Sequence, residues 1–116
     1  MIPPNPAVYP GDIEIPRDAV PHILEHAGVF VGWNCTGGDA ACSAVVEKVK
    51  GIVDDRIKND QNRVVMAHDS DLPAGEIGMS SWTRVYQFSY REFDRQRVTN
   101  FIAKNSCWFD PEGFCR

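Results

Sequence analysis

Hydrophobic positions change their period several times along the chain, and each change predicts a different element. Residues 29–33 and 63–67 are short, β-branched apolar runs, which predict two buried strands. Residues 77–82 and 84–88 predict two further strands joined by a tight turn. Between the first two strands, apolar residues recur every three or four positions and predict a helix with one apolar stripe, ending near residue 59. The stripe consists of Val45, Val46, Val49, Ile52, Val53 and Ile57.

Helix starts can be placed from residues that satisfy free backbone amides. Asp39 or Ser43 is the expected N-cap of the long helix, after a glycine-rich loop. Ser89-Tyr90-Arg91-Glu92 has the spacing of a capping box and predicts the start of a last helix that ends near residue 105. The residues of this helix expected to face the core are Phe93, Val98, Phe101 and Ile102.

The first 21 residues differ from the rest because they carry six of the eight prolines. Proline lacks a backbone N–H and fixes φ, so this segment cannot form a central strand or a long helix. It is predicted to be an extended arm that lies over the domain. Pro21 suits the first turn of a short helix, with Asp18 as its possible cap and Gly28 as its stop.

The order arm, short helix, β, α, β, β, β, α predicts an α+β fold with a sheet of about four strands and two main helices. A thioredoxin-like core and a ferredoxin-like layer both have room for this order. We expect a single domain over residues 1–116, because 116 residues support one hydrophobic core. Within it, residues 1–21 form the arm, 22–105 the α+β core, and 106–116 a tail closed by a disulfide.

Composition and charge exclude several classes of function. The chain is 43% hydrophobic and 24% charged, as is usual for a globular domain. Its net charge of −4 and its dispersed basic residues argue against a nucleic-acid or anionic-lipid partner. No apolar run approaches the roughly 18 residues of a membrane span, so no membrane insertion is expected. The first residues also lack the basic and apolar regions of a signal peptide.

Four cysteines suggest the cellular compartment. Cys35 and Cys42 flank one turn-rich segment, and Cys107 and Cys115 flank another. Two local bridges, Cys35–Cys42 and Cys107–Cys115, are the preferred pairing of the three that four cysteines allow. Disulfides in a small domain favour a secreted, periplasmic or extracellular protein. A zinc site on these cysteines is the competing interpretation. The chain has no Cys-x-x-Cys motif, however, and the two residues of each pair are further apart than is usual for zinc ligands.

The candidate for chemistry is the pentapeptide His22-Ile23-Leu24-Glu25-His26. If this stretch is helical, His22 and His26 lie on one face, one turn apart, and can bind one metal ion. In a strand the same two residues would be about 13 Å apart, too far for a shared ion.

Several residues could complete such a metal site. Met79 or His68 would complete the ligand set, and a thioether beside imidazoles favours copper ahead of zinc. Glu25 would orient one imidazole by a hydrogen bond from outside the ligand set. The function expected on this basis is metal storage, delivery or sensing.

Residues 21–31, Pro-His-Ile-Leu-Glu-His-Ala-Gly-Val-Phe-Val, resemble the signature of a bacterial domain-of-unknown-function family. Its members read His-Asn-Leu-Glu-His-Gly-Gly-Val followed by an apolar strand. Residues 71–74 and 79–84 are similar to the Leu-Pro loop and the Thr-Ala-Trp-Gly-Arg strand of that family, and the likeness extends over residues 8–104. The resemblance implies an exported, often membrane-tethered domain with no established activity. The chain departs from the family pattern at Ala27, and it lacks the upstream Ser-Gly-Pro-His element.

Two other classes of function remain open. The first is a non-catalytic structural or interaction module without a metal, in which the histidines pin the arm to the sheet and the disulfides hold the loops. The second is an enzyme. His-x-x-Glu-His also matches a zinc-protease signature, and Cys35 and Cys42 lie between a strand and a helix, as the redox pair of a thiol oxidoreductase does. The protein partner is not identified by the sequence.

Overall fold

The computed structural model describes residues 7–11, 13–16, 18–25 and 28–108. These residues form a five-stranded sheet in the order β1-β3-β2-β4-β5. The strands are β1 (Ala7–Val8), β2 (Val29–Asn34), β3 (Val64–His68), β4 (Glu76–Ser81) and β5 (Arg84–Ser89). The helices are α1 (Ala19–Glu25), α2 (Ala40–Asp60) and α3 (Arg95–Asn105), with a 3-10 turn at Tyr90–Glu92.

The sheet is mixed, which confirms the predicted α+β class. Strands β1, β3 and β2 are parallel, whereas β4 and β5 run antiparallel to their neighbours. The predicted strand count of four was too low, because Ala7 and Val8 of the proline-rich arm pair with Val65 and Met66. Proline is tolerated at a sheet edge, and the pairing there is limited to two residues. The order of β3, β2, β4 and β5 is compatible with a thioredoxin-like core.

The long helices begin at acidic caps. The side chain of Asp39 accepts a hydrogen bond from the Cys42 amide at the start of α2, so Asp39 rather than Ser43 is the cap. The capping box of Ser89 and Glu92 is present, but it starts the 3-10 turn instead of a long helix. Phe93 then takes an extended conformation, and α3 begins anew with Asp94 as its cap. Within the described residues, none of the helices combines the length and apolar character needed to cross a bilayer.

The sheet separates two apolar clusters, because successive side chains of a strand point to opposite faces. The main core lies between the sheet and helices α2 and α3, and the minor core lies between the opposite face, α1 and the arm. The buried residues of the main core are Val29, Val31, Val46, Val49, Ile52, Val53, Val64, Met66, Ile77, Met79, Phe88, Val98 and Ile102. Those of the minor core are Ile15, Ala19, Ile23, Phe30, Val65 and Ala67. Helix α1 is therefore on the opposite side of the sheet from α2 and α3.

Candidate functional site

Helix α1 carries the first part of the predicted metal motif. The chain is helical from Ala19 to Glu25, with His22 half-buried and Glu25 exposed. Beyond the helix, the Gly28 amide donates a 2.8 Å hydrogen bond to the Ile23 carbonyl. His26 lies outside the described residues, so a site shared by His22 and His26 stays a prediction. What the structure does provide is the helical backbone at His22 that such a site requires.

Gly28 sets the position of α1 on the sheet through a close approach of two backbone segments. A Cβ atom at Gly28 would lie 2.6 Å from Ile23 Cγ2 and 2.7 Å from the Ile23 carbonyl oxygen. Neither atom can retreat easily, since Ile23 is buried in the minor core. Glycine at this position therefore allows β2 to begin directly beneath the end of α1.

His68 is the last residue of β3, and its surroundings differ from those of a free metal ligand. Its Nδ1 atom lies 3.3 Å from Oε2 of Glu14, a residue of the arm. Trp33, its partner in register on β2, packs edge-on against the imidazole with 4.7 Å between ring centroids. The other carboxylate oxygen of Glu14 accepts hydrogen bonds from the amide and the hydroxyl of Ser70. We call Glu14, Trp33, His68 and Ser70 the His68 cluster.

The hydrogen bonds of the His68 cluster stabilise the charged form of Glu14. The Ser70 amide lowers the pKa of this carboxyl most, and the Ser70 hydroxyl and His68 lower it further. A cavity of about 30 Å³ adjoins the cluster, which is room for water but not for a substrate. Its lining residues are Glu14, Ile15, Val20, Phe30, His68 and Asp69. This arrangement is suited to holding the arm on the sheet.

Met79 does not lie near α1. It is fully buried, 0% exposed, in the main core, where Val31 and Tyr86 are its neighbours across the strands. Since α1 packs on the opposite face of the sheet, the structure does not bring Met79 together with His22. Among the described residues there is also no group of three or more His, Cys, Asp or Glu side chains that could hold a metal ion.

The predicted Cys35–Cys42 disulfide is present and closes the loop between β2 and α2. Cys42, in the first turn of α2, is completely buried, and Cys35 is half-buried at the end of β2. Burial shields a sulfur atom from an attacking thiolate, which favours a structural role for this bridge. Cys107 is disulfide-bonded as well. Cys115, its predicted partner, lies outside the described residues.

A groove that the sequence did not reveal runs between the outer strand β5 and α3. It has a volume of about 370 Å³. We call it the α3–β5 groove; its lining residues are Val85, Tyr86, Arg97, Asn100, Phe101, Lys104 and Asn105. In the sequence, the groove is marked only by an apolar residue at position 85 and by the helical spacing of residues 97, 101 and 104. Both features also occur in ordinary amphipathic strands and helices, so they did not predict a groove.

Glu14 was also missed, because its partners His68 and Ser70 are 54 and 56 residues away along the chain. Of the predicted ligands, then, His68 is held by the arm, Met79 is in the main core, and His22 is on α1. Comparison with known proteins adds no further assignment, since no family model, curated protein or solved structure matches the chain.

Proposed function

We propose that this protein is a non-catalytic interaction module in which His68 fixes the N-terminal arm to the sheet. The observation that carries the proposal is the contact of His68 with Glu14 and Trp33. An imidazole placed between an arm carboxylate and a tryptophan ring has a structural partner on each side. Its role is then to order the arm rather than to hold a metal ion or a reacting group.

The position of the arm supports the same role. Ile15, one residue after Glu14, is buried in the minor core, and the Tyr9 amide donates a 2.8 Å hydrogen bond to the Met66 carbonyl. The arm therefore contacts the sheet through the pairing of β1 and, further along, through Tyr9, Glu14 and Ile15. Of these contacts, the one made by Glu14 has a strength that depends on the charge of a side chain.

The test is a titration of the purified protein with Cu²⁺ and Zn²⁺, followed by calorimetry, combined with variants of the cluster. The interaction module predicts no stoichiometric metal binding that depends on His68. It also predicts that Glu14→Gln and His68→Gln each increase proteolytic cleavage within residues 9–16, whereas the matched change Glu47→Gln, on the exposed side of α2, does not. Cleavage equal to wild type in both cluster variants would contradict the proposal.

A second candidate, a copper or zinc site on His22 and His26, is favoured by the helical conformation of α1 through Glu25. The resemblance of residues 21–31 to exported proteins with a His-x-Leu-Glu-His motif points to the same residues. This candidate predicts one metal ion per chain, bound with copper preferred, and loss of binding in His22→Ala/His26→Ala. Binding should persist in His68→Gln. No binding by wild type at micromolar metal would rule it out.

An oxidising compartment is part of the proposal, supported by the Cys35–Cys42 bridge. Alkylation of free thiols during extraction from the native cells, followed by mass spectrometry, tests it. We expect Cys35 and Cys42 to be unmodified unless a reductant is added first. Alkylation of both residues without reductant would place the protein in a reducing compartment.

A further inference from the structure

Strand β5 is an edge of the sheet that the described residues form. The opposite edge, β1, is only two residues long, whereas β5 has six residues. Edge strands are usually protected by proline, charged side chains or bulges, because their unpaired backbone groups can pair with another chain. In β5 the single charged residue is Arg84, at its start, and Val85 is 73% exposed. Among the described residues, this edge therefore carries one charged side chain and no proline, which is little protection against strand addition.

Helix α3 provides a wall beside this edge. Arg97, Phe101 and Lys104 are spaced by four and three residues, so they form one stripe along the helix. All three line the α3–β5 groove together with Val85 and Tyr86 of the strand. A strand edge next to a helix wall is the geometry in which an extended peptide adds to a sheet, with its backbone on the strand and alternate side chains on the helix.

The charge of the groove indicates the kind of ligand that it would bind. Arg97 lies over the Tyr86 ring, with Cζ 5.0 Å from the ring centroid, and both Arg97 and Lys104 are exposed. None of the lining residues is acidic, although the whole chain has a net charge of −4. Phe101 supplies apolar surface on the α3 side, and the side chain of Val85 supplies it on the opposite face of the edge strand. The groove thus combines positive charge, apolar surface and free backbone groups.

The hydroxyl of Tyr86 is a further polar group among the residues that line the groove. Its hydroxyl oxygen is buried and makes no hydrogen bond with the described part of the chain. Buried hydroxyl groups are nearly always hydrogen-bonded, because an unpaired one loses its contacts with water without compensation. Because this oxygen is shielded from solvent, recognition of a bound segment is assigned to Arg97, Lys104 and the strand backbone rather than to Tyr86.

We propose that the α3–β5 groove binds an extended acidic segment of another protein, which adds to the sheet as a strand beside β5. This inference rests on the proposed interaction role and names its surface and partner class. Acidic side chains of the segment face Arg97 and Lys104, and the alternate apolar side chains face Val85. A segment of about six residues matches the length of β5, at roughly 3.3 Å per residue.

The probe is a fluorescein-labelled octapeptide of alternating glutamate and valine, and binding is measured by fluorescence anisotropy. A peptide of alternating lysine and valine is the charge control. We expect the acidic peptide alone to bind, with an affinity that falls in 0.5 M NaCl because exposed charges are screened. Equal binding of both peptides, or no binding of the acidic peptide up to millimolar concentration, would overturn the proposal.

Variants then locate the site. Arg97→Glu/Lys104→Glu and Val85→Glu should each weaken binding by about tenfold or more, since one reverses the charge of the groove and the other places a charge that repels the acidic segment on the exposed edge. The matched control is Lys48→Glu/Lys58→Glu, which makes the same charge change on the exposed surface of α2. All these positions are exposed, so circular dichroism should report an unchanged fold. Binding that is equal in the groove and control variants would place the peptide elsewhere, and the interaction role would stand without this surface.

If the β5 edge is occupied in another way, hydrogen exchange and light scattering will give different results. Amide hydrogen exchange is measured before peptide is added, at the alternate β5 amides that point away from β4, and fast exchange is expected at those amides. Slow exchange there would show that the edge is already paired, either by a second copy or by another part of the chain. A dimer that Val85→Glu converts to a monomer, seen by light scattering, would identify the second copy. Either result would overturn the proposal.

Discussion

The Cys35–Cys42 bridge closes the loop between β2 and α2, and its removal gives a quantitative test of its structural role. The perturbation is Cys35→Ala/Cys42→Ala, with the other two cysteines left in place. Alanine is chosen because Cys42 is fully buried, and a serine hydroxyl there would add a desolvation cost unrelated to the cross-link.

The expected magnitude comes from two contributions. The bridged residues are separated by seven positions, and a loop of that length constrains the unfolded chain by about 2.4 kcal/mol. Replacing the buried sulfur of Cys42 by hydrogen leaves a small void that costs about 1 kcal/mol. The sum is about 3 kcal/mol, which for a chain of this length corresponds to a fall in Tm of about 12 °C.

The assay is urea unfolding followed by circular dichroism without reductant, together with a thermal scan. Adding reductant to the variant reports the contribution of the remaining cysteines separately, so the effects of the two pairs are not confused. A loss of stability below about 1 kcal/mol at an unchanged m-value would refute the reasoning, because unfolded-state restriction alone should exceed it.

Three further predictions concern the arm, the α1 junction and the core. The pKa of Glu14 is lowered below its ordinary value of 4.5, mainly by the Ser70 amide, so its stabilisation is present above that pH and is lost as the pH falls through the lowered pKa. The difference in Tm between wild type and Glu14→Gln should therefore be measurable at pH 7 and vanish near pH 2; a constant difference would contradict this. Gly28→Ala should destabilise by about 1–3 kcal/mol in urea unfolding, because its Cβ would collide with Ile23, and a neutral result would mean that α1 can shift. Ile102→Ala should cost about 2–5 kcal/mol in the same assay, since Ile102 is fully buried, and a cost below 1 kcal/mol would be inconsistent with its place in the main core.

Local features were predicted well because their signals act over a few residues. Val46, Val49, Ile52 and Val53 were predicted from a three- and four-residue spacing, and they are buried on α2. The capping box at Ser89 was also found, but it did not predict where the long helix begins. The chain leaves the helical conformation at Phe93, and the sequence signal for a start at Ser89 could not show that interruption.

Contacts between distant residues were not accessible in the same way. Glu14 is far in sequence from His68 and Ser70, and no local pattern connects an arm carboxylate with a loop after β3. Likewise, both Met79 and His22 were reasonable ligands by residue type. Only the strand order and the alternation of side chains show that they belong to opposite faces of the sheet.

The sequence by itself predicted the α+β class and the approximate positions of four strands and three helices, and it favoured the Cys35–Cys42 bridge over the other pairings. Each of these depends on spacing within one element or one short loop. Only the tertiary structure decided that the arm adds a fifth strand, that His68 meets Glu14, and that α3 lies beside the edge strand β5. The physical reason is that these features depend on which strands become neighbours and which face each helix covers. This arrangement is decided by how the whole chain buries its apolar side chains, and no single segment carries that information.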